Sequence, residues 1–231
     1  MPKLLHLRCS PRAGSASSAA AEAFLAKFRE TRPSWDIDLQ DLWRETLPEF
    51  DGAALEAKYA RLGGRGFDDR ERDAFAVIER MALRFSLAER VLISSPMWNF
   101  GVPYKLKQWF DLIVQPGLTF AFSPAEGYRG LVKDRPTIVI LASGSDFVTG
   151  MNRGRVDMAT PYLRDILRFI GVHSVRFVAV GPTVGTGDQV KAAREAAERR
   201  LIEVAASDWG RITLVLRLSQ VLPRRSVVIA R

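Results

Sequence analysis

The chain is short of the side chains that form disulfides and metal clusters. Its 231 residues include one cysteine, Cys9, and two histidines, His6 and His173. A single cysteine excludes an internal disulfide and is typical of a protein in a reducing cytoplasm. One cysteine and two histidines cannot supply the four ligands of a Cys/His zinc site. We therefore expect no metal centre and a cytoplasmic location.

Long apolar segments and the common nucleotide-binding motifs are also missing. No apolar run approaches the length that spans a bilayer, and the first residues lack the apolar region of a signal peptide. Neither a P-loop nor the Rossmann glycine pattern is present. No Ser/His/acid or Cys/His grouping indicates nucleophilic catalysis, so both histidines are expected to be structural. These absences predict that the chain has no membrane partner.

Positive charge is in excess, with a formal net charge of +8. Basic proteins are often nucleic-acid-binding proteins. Here, however, five arginines and one aspartate in residues 207–231 contribute +4, half of the excess. No recognised nucleic-acid-binding motif accompanies the charge, so we expect no nucleic-acid partner. Residues 207–231 are interpreted as a basic tail with strand-like runs at 212–218 and 226–230.

Strand and helix signals alternate along the rest of the chain. Short apolar or alternating runs predict strands at residues 3–9, 36–42, 91–93, 137–142 and 174–181. Helical patterns lie between and after them, at residues 19–30, 56–62, 68–88, 102–113, 157–170 and 188–206. This alternation predicts an α/β fold with a doubly wound parallel sheet, formed by residues 1–206.

Residues 88–122 contain the most informative pattern. A buried strand stops at Pro96, which cannot donate to a sheet ladder, and a helix begins near Pro103. The loop between them, residues 97–101, holds a methionine, a tryptophan, an asparagine and a phenylalanine. These bulky residues could belong to an ordinary core. Their position between a strand and a helix favours a ligand pocket, because such loops border the crevice of an open parallel sheet.

The turn at residues 10–18 is rich in serine and lies between the first predicted strand and the first helix. Backbone N–H groups and the positive end of the helix dipole converge at such a turn, and the hydroxyls add further donors. Alone, the turn is equally well interpreted as a polar loop with a helix N-cap. Beside the loop at 97–101, it favours a ligand that carries a phosphate.

The central block resembles the signature of the FMN-dependent NADH:quinone oxidoreductases that also reduce azo dyes, a flavodoxin-like family. There, a Pro-Met-Tyr-Asn-Phe loop contacts the flavin ring, and a Leu-Lys-Xaa-Trp/Tyr-Phe-Asp helix follows. Residues 96–100 and 106–111 match both elements, with Trp98 in place of the tyrosine. Residues 117–120 and 130–132 extend the resemblance, which covers about residues 3–206.

The resemblance implies a flavodoxin-like five-stranded parallel sheet in the order 2-1-3-4-5. It also implies non-covalent FMN, NADH or NADPH as electron donor, and quinones and azo compounds as acceptors. Because the flavin atom N5 carries the hydride chemistry, no catalytic side chain is required. A homodimer and ping-pong kinetics are further expectations.

The same resemblance assigns site residues in four segments of the chain. The phosphate turn would contribute Ser10, Ala16, Ser17 and Ser18, and the ring loop would contribute Met97, Trp98, Asn99 and Phe100. The loop after the fourth strand would contribute Ala142, Ser143, Gly144 and Ser145, without the arginine that the family has there. Phe120 and Phe122, in an aromatic excursion at residues 115–135, are candidates for the substrate pocket.

Two other functions of a flavodoxin-like protein stay open at this point. One is an electron carrier without a pyridine-nucleotide site, and the other is an NAD(P)H-dependent FMN reductase. The aromatic excursion implies a substrate cavity, and carriers tend to be acidic. Both features favour the quinone oxidoreductase.

Overall fold

The computed structural model describes residues 1–147, 154–207 and 209. Within these residues there are seven strands and six helices. The strands are β1 (Lys3–Arg8), β2 (Asp36–Asp41), β3 (Arg90–Pro96), β4 (Phe120–Ser123), β5 (Gly127–Gly130), β6 (Thr137–Ala142) and β7 (Val175–Val180). The helices are α1 (Ala16–Thr31), α2 (Gly52–Leu62), α3 (Asp69–Leu87), α4 (Tyr104–Ile113), α5 (Ala159–Phe169) and α6 (Gly187–Ala206).

Five of the strands form one parallel sheet in the order β2-β1-β3-β6-β7. The predicted order is confirmed, because this is 2-1-3-4-5 when only these five strands are counted. β3 is longer than its apolar run predicted, since Pro96 still lies opposite Ala142 of β6. The chain passes from β1 to β2 on one side and returns to β3 on the other. In an open parallel sheet, a ligand crevice forms at the carboxyl ends of strands beside such a reversal.

Successive side chains of the central strands pack on opposite faces of the sheet. Leu5 and Ile93 belong to an apolar cluster on one face, together with side chains of α3, α4 and α5. Leu4 and Leu92 belong to a second cluster, together with side chains of α1 and α6. Burying a large apolar side chain contributes about 1.5–3 kcal/mol. The two clusters thus fix the loops at the carboxyl edge to a packed sheet.

Helix α1 begins three residues earlier than the apolar pattern predicted. Ser15 is its N-cap, and the Ser15 hydroxyl accepts a hydrogen bond from the Ser18 backbone N–H. The hydroxyl and small residues at 15–18 therefore belong to the helix start, because a capping serine satisfies a backbone donor there. This shift places the serines of the predicted phosphate turn on the first turn of a helix.

The excursion at residues 115–135 contains an antiparallel hairpin, β4–β5, which the sequence pattern did not predict. The hairpin packs on the end of α5, where a side chain at Gly130 would lie 2.4 Å from the backbone nitrogen of Gly171. The ring of Phe120 lies 5.0 Å from that of Phe169, between centroids. Phe122 and Tyr128 pair across the hairpin at 4.8 Å. These packed aromatic rings fix the hairpin to the rest of the fold.

The described chain ends at the amino edge of the sheet. The Arg90 guanidinium, at the start of β3, lies between two indoles, 4.8 Å from the Trp35 ring and 4.7 Å from the Trp209 ring. Trp209 also meets Phe24 of α1 edge-on at 5.8 Å. The strands predicted at 212–218 and 226–230 lie outside the described residues. None of the helices that the structure describes combines the length and apolarity needed to cross a bilayer.

Candidate functional site

A cavity of about 300 Å³ lies at the carboxyl edge, between the loops that follow β1, β3, β6 and β7. We refer to it as the loop cavity. Six of the residues that line it were predicted from the sequence: Ser10, Ala16, Met97, Trp98, Ala142 and Gly144. These residues come from three separate loops, and the parallel sheet brings them together because its strands end at one edge.

The first turn of α1 presents polar donors at this edge. The hydroxyls of Ser15 and Ser17 lie 3.0 Å apart and bond to each other. Ser18 differs, because its Oγ is buried and has no hydrogen-bond partner within the described residues. A buried hydroxyl without a partner costs about 1–3 kcal/mol. An anionic ligand at the helix start would supply the missing acceptor, and the turn therefore fits a phosphate.

The loop after β3 is a tight turn with an unusual backbone. The N–H groups of Trp98 and Gly101 each donate to the other's carbonyl oxygen, at 3.0 and 2.9 Å. The two central residues, Asn99 and Phe100, both have positive φ, 48° and 69°. This conformation suits glycine and asparagine but is strained for phenylalanine. Such strain concentrates at binding sites, where the surrounding structure holds it in place.

The strained turn is held from two sides and leaves two rings partly exposed. The Met97 N–H donates to the Ala142 carbonyl oxygen at 2.7 Å. On the other side, the Met158 N–H donates to the Phe100 carbonyl oxygen at 3.0 Å. The side chains of Trp98 and Phe100 remain 37% and 47% exposed. The turn therefore offers flat apolar surface beside the loop cavity, as the sequence predicted for a stacking loop.

Trp43 connects this turn to the phosphate turn, a contact that the sequence pattern did not reveal. Its indole Nε1–H donates to the Cys9 carbonyl oxygen at 3.0 Å. Its ring centroid lies 5.7 Å from that of Trp98 and 5.3 Å from that of Tyr104. Such aromatic pairs contribute about 0.5–1.5 kcal/mol beyond area burial. Trp43 thus supports the Trp98 ring from behind.

The loop after β6 uses one of its predicted side chains internally. The Ser143 hydroxyl donates to the Ser145 carbonyl oxygen at 2.7 Å, so this side chain stabilises the loop. The close backbone approach in this region falls at Gly181, where a Cβ atom would lie 2.8 Å from the Ser145 oxygen. At Gly144 a Cβ would make only ordinary contact with Val184, at 3.6 Å. The loop lacks the family's arginine, but the Arg155 guanidinium donates to the Ser145 hydroxyl.

A second cavity, of about 350 Å³, adjoins the first and shares Ser10 and Arg12 with it. We refer to it as the Asp41 cavity, after its acidic residue. Arg8 pairs with Asp41 at 2.5 Å. Although partial burial opposes ionisation, the hydrogen bonds from Arg8 and from the Trp43 backbone N–H lower the pKa of Asp41 below its ordinary value. Asp41 is therefore a paired carboxylate and not a proton donor near neutral pH.

His6 in β1 and Cys9 directly after it are both buried. His6 is buried and bonds through Nε2 to the Ser94 hydroxyl at 2.9 Å, and burial lowers its pKa to about 4. Cys9 is a free, buried cysteine, and burial raises the pKa of its thiol. Neither group lines the two cavities. The described residues at this edge therefore combine partly exposed aromatic rings with hydroxyl and N–H donors, which suit a flat ring and a phosphate.

Not all predicted site residues meet at the loop cavity. Ser18 lines the adjoining Asp41 cavity, and five of the residues predicted to bind the cofactor line neither cavity: Ser17, Asn99, Phe100, Ser143 and Ser145. Phe120 is buried beneath the hairpin, Phe122 is 54% exposed on it, and neither lines the loop cavity. Conversely, the cavity includes Thr183 and Val184, which follow β7, and two arginines, Arg12 and Arg194. The loop after β7 could have been found from the rule that strand ends line the crevice. Arg194 could not have been found in this way, because it lies within a helix whose charged residues give no sign of which one faces the site.

Comparisons with known proteins agree with this geometry. A family model described as a flavodoxin-like fold matches residues 2–205. The FMN-dependent NADH:quinone oxidoreductase 1 of Bradyrhizobium diazoefficiens is 70% identical over 205 residues, which cover 89% of this chain and 99% of that protein. The FMN-dependent NADH:quinone oxidoreductase of Desulfotalea psychrophila is 40% identical over 185 residues, which cover 80% of this chain and 87% of that protein. The crystal structure of an azoreductase from Bacillus anthracis superposes with a TM-score of 0.80 at 26% identity, covering 89% of this chain and 99% of that one.

Proposed function

The chain belongs to the FMN-dependent NADH:quinone oxidoreductases, and from that premise we propose that it transfers hydride from NADH or NADPH to quinones and azo compounds. The observation that carries the proposal is the pair of adjoining cavities: a strained aromatic turn borders the loop cavity, and Ser18, whose buried hydroxyl is unpaired among the described residues, lines the Asp41 cavity beside it. The first feature fits a flat ring and the second fits a phosphate. Of the flavin cofactors, FMN combines one ring system with one terminal phosphate.

The residues present fit FMN in three groups. At the phosphate, the hydroxyls of Ser10 and Ser18 and the backbone N–H groups of Ala16 and Ser17 would donate, since the Ser17 hydroxyl is already bonded to Ser15. Four residues of the strained turn would contact the ring: Met97, Trp98, Asn99 and Phe100. Backbone groups of the loop after β6 would bond the polar edge of the ring, and this loop contributes Ala142, Ser143, Gly144 and Ser145.

FMN supplies the hydride acceptor and donor, at its atom N5. The protein's contribution is then position and exclusion of water. Trp98, packed against Trp43, would form one flat wall, and the Asn99 amide would orient the polar edge of the ring. NADH would leave as NAD⁺, and a quinone would gain the hydride together with one proton from water. An azo bond requires two such rounds to reach amines.

The donor and the acceptor are proposed to use the same slot in turn. Nicotinamide and a quinone are both planar, and both must approach the same atom of the cofactor, so they exclude each other. This exclusion predicts ping-pong kinetics. Initial rates at several fixed quinone concentrations should give parallel double-reciprocal lines against NADH. Intersecting lines would contradict the shared slot.

We propose that the protein is a homodimer and that the hairpin completes the partner's pocket. Phe122 and Tyr128 are exposed on the hairpin, 54% and 65%, although they do not reach the loop cavity of their own subunit. Phe120, packed beneath them, would keep Phe122 in place. Size-exclusion chromatography with light scattering measures the assembly, and a stable monomer that retains full activity would contradict this proposal.

The remaining proposals concern the chain as a whole. Residues 1–206 would form the doubly wound flavin-binding domain, and residues 207–231 a separate basic tail. The single buried cysteine is consistent with a cytoplasmic location.

The identity of the flavin is the direct test of the proposed function. Purified protein should be yellow, and denaturation should release FMN, which chromatography separates from FAD and riboflavin. NADH oxidation should depend on added quinone. Release of FAD alone, or failure of the flavin-free protein to bind FMN, would overturn the proposal.

A further inference from the structure

The loop cavity carries positive charge without a matching acid. Its described lining includes two arginines, Arg12 and Arg194, and no aspartate or glutamate. Neither guanidinium has a hydrogen bond or ion pair to another described residue. In the adjoining Asp41 cavity, by contrast, Arg8 and Arg44 lie within ion-pair distance of Asp41. The lining of the loop cavity is thus suited to an anion.

Arg12 lies in the phosphate turn itself. Its backbone N–H donates to the Ser10 hydroxyl at 3.4 Å, and its side chain is exposed at the rim shared by both cavities. The turn therefore places a cation beside the serine hydroxyls and the start of α1. Those hydroxyls and N–H groups are neutral donors, so Arg12 adds the full charge that they lack.

Arg194 reaches the same cavity from a different part of the fold. It lies on α6, one turn after Val190, which also lines the cavity. Helix α6 packs beside α1 through Ala197 and Leu201, in the same apolar cluster as Phe24. Both helices begin at the carboxyl edge of the sheet, and residues near both starts, Ala16 of α1 and Val190 of α6, line the loop cavity. Packing between α1 and α6 thus fixes Arg194 near the phosphate turn.

The other basic residues of α6 do not share this position. Lys191 and Arg199 each lie within ion-pair distance of Glu195, at 4.0 and 3.9 Å. Arg200 is exposed and does not line the cavity. Arg194 is therefore the basic residue that α6 directs to the site, and Arg200 provides a matched control.

We propose that Arg194, together with Arg12, forms ion pairs with the phosphate monoester of bound FMN. The inference rests on the proposed function, which supplies the ligand. A phosphate monoester carries close to two negative charges at neutral pH, and a guanidinium matches its oxygens with two parallel hydrogen bonds. Two arginines would balance that charge, while the serines and helix N–H groups fix its position.

The discriminating experiment compares FMN with riboflavin, which has the same ring but no phosphate. Flavin-free protein is titrated with each, and binding is followed by quenching of flavin fluorescence. Arg194→Gln and Arg12→Gln should each raise the dissociation constant for FMN roughly tenfold, equivalent to about 1.4 kcal/mol. Neither should change the dissociation constant for riboflavin. Arg200→Gln should change neither value.

Ionic strength and charge rescue provide two further readouts. Added salt should weaken FMN binding to the native protein more than to Arg194→Gln, because exposed ion pairs are screened. Arg194→Lys keeps the charge and should recover part of the lost FMN affinity. A structural role for Arg194 would instead weaken FMN and riboflavin equally, and that result would overturn the inference.

The outcomes separate the inference from the function on which it rests. If the native protein binds FMN tightly and Arg194→Gln binds it equally well, the inference is wrong and the proposed function stands. If Arg194→Gln instead raises only the KM for NADH, the arginine serves the donor's phosphates and the inference is again wrong. If the native protein binds neither flavin, the proposed function itself fails.

Discussion

Ser17 and Ser18 are adjacent residues whose hydroxyls have opposite surroundings. The Ser17 hydroxyl is satisfied by Ser15 in the protein itself, whereas the buried Ser18 hydroxyl has no partner among the described residues. Removal of a satisfied buried hydroxyl costs stability, but removal of an unsatisfied one costs little or stabilises. The two serines should therefore respond differently to the same substitution.

We predict opposite effects for alanine at these two positions. Ser18→Ala should leave the melting temperature of the flavin-free protein unchanged or raised, and should weaken FMN binding roughly fivefold to tenfold through the lost hydrogen bond. Ser17→Ala should lower the melting temperature of the flavin-free protein. Thermal melts with and without FMN measure both effects. A destabilised flavin-free Ser18→Ala protein would show that this hydroxyl has a structural partner instead.

A site residue could be predicted from the sequence only where the pattern that marks it lies within a few neighbouring residues. Residues 97–100 could be predicted as site residues because bulky side chains between a strand and a helix form a pattern within a few residues, and Met97 and Trp98 do line the loop cavity. Trp43 was missed because its position depends on a hydrogen bond to Cys9, which is distant in the sequence. Arg194 was missed because its position depends on the packing of α6 against α1. Ser143 was predicted as a site residue, but its hydroxyl donates within its own loop, to the Ser145 carbonyl oxygen.

At the scale of elements, the edge strand β2 is joined to α3 mainly through one arginine. Arg84 makes two hydrogen bonds to the Asp38 carboxylate, at 2.6 and 3.0 Å, and also contacts Glu45 at 3.0 Å. The hydrogen bonds from Arg84 lower the pKa of Asp38, although partial burial opposes this shift. Because β2 leads directly to Trp43, this link also supports the aromatic wall of the site.

We predict that Arg84→Gln destabilises the protein in a pH-dependent way. The lowered pKa means that Asp38 stabilises the fold above its unfolded pKa of about 3.9 and loses that contribution as pH falls through the folded value. The deficit of Arg84→Gln should be about 1–2 kcal/mol near pH 7, reduced by partial exposure of the pair. This difference in the free energy of unfolding should become smaller below pH 4.

Urea unfolding at several pH values measures this difference. Arg80→Gln, an exposed position on the same helix, is the matched control and should change little at any pH. A deficit of Arg84→Gln that is constant from pH 7 to pH 3 would show that packing of the arginine, and not its charge, holds the strand.

The elements themselves were largely predictable from hydrophobic periodicity. All five strands of the sheet and all six helices were predicted, and their order followed from the resemblance. The hairpin β4–β5 was not, because its strands are four residues each and lack a clear alternation. The start of α1 was predicted too late in the chain, because the spacing of apolar residues gives no information about a serine N-cap.

At the scale of the whole molecule, the site and the end of the described chain lie on opposite edges of the sheet. Trp209 packs at the amino edge against Arg90 and Phe24, whereas the loop cavity lies at the carboxyl edge. The match to the family model also ends before Trp209, at residue 205 of the chain. Among the described residues, those that line the two cavities all precede residue 207.

We predict that shortening the chain has two distinct effects. Ending it after Trp209 should leave stability and FMN affinity unchanged, because the contacts of Trp209 are retained. Ending it after Ser207 should lower the free energy of unfolding by about 1–2 kcal/mol, from lost aromatic and cation–π packing, with FMN affinity still unchanged. Loss of FMN binding in the protein that ends at Trp209 would show that the tail takes part in the site.

The burial of Cys9 makes the native chain a ready background for chemical labelling. Thiol reagents attack the thiolate, and burial together with a raised pKa keeps Cys9 protonated and out of reach. Because the sequence holds no other cysteine, one thiol introduced at an exposed position such as Tyr128 would carry the sole spin label or fluorophore. Two labels in an assembled pair would then report the separation of the hairpins, without any prior removal of native cysteines.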